Sequence, residues 1–135
     1  MILPTFKDKE IEEAVELLQK YLKDQDAPIT KEKYLAIQEQ LGKEPDPKFM
    51  PLGFEDIPYD CQVAVNIYSK LGNRVYADVG FTGKDYTNLP ILIEVYNICD
   101  KDLLLDLLNV IDAYQIVKSQ KQIKKMHDDM KKKTK

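Results

Sequence analysis

Pro45, Pro47, Pro51 and Pro58 lie so close together that no helix can run through this stretch of the chain. Each proline removes a backbone donor, and its ring collides with the preceding turn. The chain must therefore organise itself on either side of a segment from 43 to 57. Phe49, Met50, Leu52, Phe54 and Ile57 make that segment too apolar for a free linker, so it is expected to be extended and pinned to the domain surface.

Before the prolines, apolar residues recur at helical spacing. Ile11, Val15, Leu18 and Leu22, joined by Ala14, Leu17 and Tyr21, predict a helix from about Lys7 to Asp24 with one buried face. Thr5 with Asp8 three residues on resembles a capping box. Pro28 interrupts the pattern. Thr30 then caps a second helix over 31–41, with Tyr34, Leu35, Ile37 and Leu41 as its stripe and Gly42 ending it. The two make a predicted helical hairpin over 7–42.

Beyond the prolines, Asp56 as N-cap and Pro58 in the first turn open a helix over 58–71. Cys61, Ala64, Val65, Tyr68 and Leu71 form its main face. Val75, Ala77 and Val79 alternate weakly, which allows a short β element near 74–80, and Gly80 and Gly83 mark a turn. A short helix is expected over 89–98, started by Thr87 or Asn88 with Pro90 in its first turn. Asp100 then caps a long helix over 101–130 whose apolar side runs from Leu103 and Leu104 to Tyr114 and Val117. The expectation is an all-α fold of about five helices. Its parts are a hairpin (1–42), a connector (43–57), a helical core (58–117) and a basic C-terminal tail (118–135).

Charge marks the tail off from the rest. Residues 1–117 hold 12 Lys and Arg against 21 Asp and Glu, a balance of −9, whereas 118–135 hold 8 Lys against Asp128 and Asp129, a balance of +6. Asymmetry of this kind concerns partners more than fold. The tail has no arginine and no aromatic residue on which a base could stack, so a solvated helix end is the first reading, with protein docking next and ahead of nucleic acid. No apolar run reaches the roughly 20 residues of a membrane span. The first residues lack a basic and then apolar leader, so a cytoplasmic location is expected. Cys61 and Cys99 form no paired motif, and both are expected as free, mostly buried thiols.

No catalytic residue, metal ligand or cofactor is expected. Gly80-Phe81-Thr82-Gly83-Lys84 has two residues between its glycines where a phosphate loop needs four, and Asp85 stands where a hydroxyl belongs. His127 is the only histidine, which excludes a multi-histidine metal site. Asp100, Asp102, Asp106 and Asp112 are clustered in sequence, but the first two are accounted for by the positive end of a helix dipole.

The run from Gly80 to Pro90, followed by a short apolar helix and then Asp102-Leu103-Leu104-Leu105-Asp106-Leu107-Leu108, resembles a family of small tailed-phage tail assembly proteins. These are encoded between the tail-tube and tape-measure genes. The resemblance spans about residues 57–119 and centres on Gly83-Lys84-Asp85-Tyr86-Thr87-Asn88-Leu89. Arg74 corresponds to a basic residue before the family's turn, whereas Lys84 stands where the family has Leu. The resemblance implies a non-enzymatic chaperone that binds the tape-measure protein. Candidate partner-binding residues are Phe81, Lys84 and Tyr86 of the turn and Lys124, Lys125 and Lys131 of the tail, and a homo-oligomer is compatible with the role. The alternatives are a mobile-element regulator that inhibits a host protein or occupies a nucleic-acid site, and a small hydrolase using the Asp cluster.

Overall fold

A computed structural model describes residues 5–133, with side chains from Lys9 onward. The described residues form five α-helices, α1 (Thr5–Asp26), α2 (Lys31–Leu41), α3 (Tyr59–Lys70), α4 (Leu89–Val95) and α5 (Lys101–Lys133), with one antiparallel hairpin of β1 (Gly72–Tyr76) and β2 (Gly80–Asp85). The fold is mainly α, as expected, with a short β element. No helix among the described residues is long and apolar enough to cross a membrane. The chain divides into two compact units, Met1–Val63 and Ala64–Lys135, and the boundary falls within α3.

In the first unit, α1 buries Leu18 and Leu22, and Ile57, Cys61 and Val63 are buried as well. The start signal read at Thr5 and Asp8 lies outside the described side chains. Both ends of α2 follow the local code. Thr30 Oγ1 accepts from Lys33 N, and Gly42 takes a left-handed conformation (φ 67°) that sends its own N–H to Glu39 and that of Lys43 to Gln38. The apolar stripe of α2 is left uncovered. None of its residues is buried, and Leu41 is 61% exposed.

The proline-rich segment is tied down as expected, by hydrogen bonds within this unit. Leu52 N donates to Asp24 Oδ2 (2.8 Å) and Asp46 N to the Tyr34 hydroxyl oxygen (3.1 Å). The Lys31 ammonium spans Glu55 (2.6 Å) and Asp56 (2.8 Å). Asp56 was expected to cap α3. Its Oδ2 instead serves Lys31 and the N–H of Gly53, closing a single 3₁₀ turn over Phe54–Asp56, and α3 starts later at Tyr59.

The core of the second unit lines one side of α5. Leu104, Leu107, Leu108 and Ile111 are buried at i, i+3, i+4 and i+7, together with Ala64, Ile67, Leu71 and Leu89. Asp100 caps α5 as expected, Oδ1 accepting from Leu103 N (3.0 Å). Asn88 stands at the start of α4 without a side-chain capping bond. α4 stops at Val95, short of the expected 98, because Asn97 turns left-handed (φ 57°) and redirects its own N–H to Glu94 and that of Ile98 to Ile93. α5 continues without interruption to Lys133, so residues 118–133 extend the core helix and form no separate element.

Candidate functional site between the hairpin and the long helix

The segment read as a turn, Gly80–Asp85, is strand β2, and the reversal lies just before it at Ala77, Asp78 and Val79. Val79 N donates to Tyr76 O, and Gly80 follows at φ 82°. A turn followed by a left-handed glycine is the usual way to close a three-residue hairpin loop. β1 pairs Asn73 with Lys84 and Val75 with Phe81, so Arg74 alone faces both Thr82 and Gly83. This is a bulge in β2. The Thr82 hydroxyl seals it by donating to Arg74 O (3.0 Å), and Gly83 adopts φ 120°.

Every residue of β1 is exposed, whereas β2 packs on α5. The seat on α5 consists of Asp112, Ile116, Ser119 and Ile123, spaced by four, three and four residues, so that they share one face. Gly80 lies against Ile123. A Cβ on Gly83 would stand 3.2 Å from Asp112 Oδ2 and 3.6 Å from Ile116 Cδ1. Ser119 Oγ accepts from Phe81 N (3.2 Å).

Asp112 is the hub of this contact. Its Oδ1 accepts from the Tyr68 hydroxyl (2.8 Å) and from Lys84 N (3.1 Å), and its Oδ2 from the Tyr86 hydroxyl (2.7 Å). Burial, then the hydrogen bond to Asp112, pushes both phenols well above the ordinary tyrosine range. Both therefore stay protonated donors at neutral pH. The Lys84 ammonium does not meet this carboxylate. It donates to Leu71 O (3.0 Å) and sits 4.7 Å from the centre of the Tyr68 ring, where burial lowers its pKa and Asp112 offsets part of that effect.

An open cavity flanks the seat on each side. One, of about 430 Å³, is lined by Phe81, Lys84, Ser119 and neighbouring α5 residues. The other, of about 460 Å³, is lined by Asp78, Ile123, Lys124, His127, Asp128 and Lys131. The candidate residues are thus divided. Phe81 and Lys84 face the first cavity, Lys124 and Lys131 the second, Tyr86 is turned to Asp112, and Lys125 is exposed on α5 outside both. The four aspartates separate as well. Asp100 is the cap, Asp102 and Asp106 are exposed, and Asp112 anchors the hairpin. Asp112, Tyr68 and Ser119 were missed as a group. The signal for them was the spacing of Asp112 and Ser119 with two isoleucines on one face. Among the described residues, no three His, Cys, Asp or Glu side chains are placed to hold a metal ion.

The two thiols differ, contrary to the expectation that both are mostly buried. Cys61 is fully buried, donates to Ala14 O, and is pushed up to about 11 by burial and then by Asp60, whereas Cys99 is exposed. Only a thiolate attacks a disulfide reagent. In native protein at pH 7.5, Ellman's reagent should therefore titrate one thiol rapidly, and the second only in denaturant. Two rapid equivalents would refute the buried placement of Cys61.

No protein-family model, characterised protein or solved structure matches this chain.

Proposed function

We propose that this chain is a non-enzymatic protein-binding protein that docks its partner on the continuation of the hairpin seat along α5. The carrying observation is the pattern of that face. The spacing that seats β2 continues with steps of three and four to Met126 and Met130, which are 62% and 63% exposed. Lys124, Lys125 and Lys131 stand beside them, also exposed. An apolar strip bordered by lysines suits an amphipathic helix bearing acidic residues. Burying a methionine side chain contributes roughly 1.5–3 kcal/mol, so the strip and its charges together support a reversible complex.

For the particular partner, the resemblance of Gly80–Pro90 to tail assembly proteins supports the tape-measure protein, which would be held soluble while the tail tube forms. In this chain that run supplies β2, Tyr86 and the start of α4. Co-expression with a tape-measure protein, whose gene this reading expects beside that of the chain, tests the reading. The tagged chain should recover the tape-measure protein, and Met126→Asp with Lys125→Glu should cut recovery at least tenfold while leaving the helical circular dichroism unchanged. Equal recovery by the variant, or none by the parent, would sink it.

A further inference from the structure

We propose that the cavity beside β2, on the Lys118 flank of α5, is a binding site for a small oxyanion, a phosphate or carboxylate group. This site is separate from the Met126 strip and does not depend on it.

The wall chemistry is one-sided. Lys84 comes from β2 and Lys118 from α5, Asn73, Gln115 and Gln122 contribute amides, and Ser119 a hydroxyl. None of these lining side chains is a carboxylate, although residues 1–117 are acidic. The nearby Asp112 carboxylate has its oxygens engaged by Tyr68, Tyr86 and the Lys84 N–H and does not line the cavity. Two cations among amide and hydroxyl donors make a field complementary to an oxyanion.

Lys84 is the focus. An ammonium has three donors; here one goes to Leu71 O while the charge lies over the Tyr68 ring. Burial has stripped part of its water, as the lowered pKa reflects. An oxyanion in the cavity would give this ammonium a charged partner, and in partly desolvated surroundings the attraction exceeds that at an open surface lysine. Phe81 and Tyr68 line the same cavity, so an anion carried on an apolar or aromatic body fits better than a bare ion.

Titration with inorganic phosphate and, separately, with acetate, each at constant ionic strength made up with chloride, tests the site by amide chemical shifts. Saturable shifts confined to Phe81, Lys84, Lys118 and Ser119 are expected. Tighter binding of phosphate would point to a phosphoryl ligand, and equal binding to a carboxylate. Lys84→Gln should weaken binding at least tenfold, and Lys118→Gln should weaken it too. Lys124→Gln, beside the other cavity, should stay within twofold. Lys84→Gln keeps the backbone N–H that bonds Asp112, so the hairpin seat is retained. Non-saturable shifts spread over all the lysines of α5, or equal effects of Lys84→Gln and Lys124→Gln, would overturn the assignment.

Discussion

Replacing Asp112 with alanine is expected to destabilise the second unit by about 3 kcal/mol. The substitution strands the Tyr68 hydroxyl, the Tyr86 hydroxyl and Lys84 N together. A hydrogen bond to a charged acceptor contributes roughly 1.5–3 kcal/mol, and the three do not add because water reaches the half-buried site once the carboxylate is gone. Asp112→Asn, which keeps the shape but turns one acceptor into a donor, should cost about half as much. Urea denaturation followed by circular dichroism gives the totals. Hydrogen exchange locates them, because the Lys84 amide should lose its protection first. If Asp112→Ala changes stability by less than about 0.5 kcal/mol, the hub is not what holds β2 on α5.

Gly83→Ala should be comparably damaging for a different reason. The backbone at φ 120° is a region that side chains rarely enter, and the new methyl would press on Asp112 Oδ2 at 3.2 Å. Strain and overpacking together are expected to cost about 2–4 kcal/mol. Gly72 supplies the contrast, since a Cβ there meets nothing within 4 Å. Gly72→Ala should stay within about 0.5 kcal/mol of the parent. Thermal melts of the two variants decide the matter, and equal midpoints would refute the close approach. Because residues 83 and 112 touch, the double variant Gly83→Ala with Asp112→Ala should fall well short of the sum of the single effects.

What could be read from the residues, and what could not, follows how far each signal reaches. Thr30, Gly42 and Asp100 act within one helical turn, and their roles were legible because nothing distant competes with them. Asp56 carries the same local signal and was misread, since Lys31, 25 residues earlier, and the Gly53 N–H hold its carboxylate elsewhere. Strand β2 was hidden by its own bulge. Two residues opposite Arg74 break the alternation that identifies a strand, and two glycines add no side chain to the pattern. The periodicity of α2 was read correctly as a helix, yet it says nothing about whether another surface covers the apolar side. Asp112 looked like Asp106 because both sit on a leucine-rich helix. The face that Asp112 shares with Ser119 and two isoleucines sets it apart only faintly, and the arrival of Tyr68 and Tyr86 from distant parts of the chain gives it its role.

The exposed strand β1 bears on how the chain avoids sticking to copies of itself. Its outer backbone edge is five residues long, carries Arg74, and pairs with a strand whose bulge increases the local twist. An incoming strand would find few successive donors and acceptors in line there, and a positive charge in its path. Short, twisted and charged edges resist the edge-to-edge addition that leads to aggregates. The hairpin can thus stay exposed at high concentration without templating further sheet.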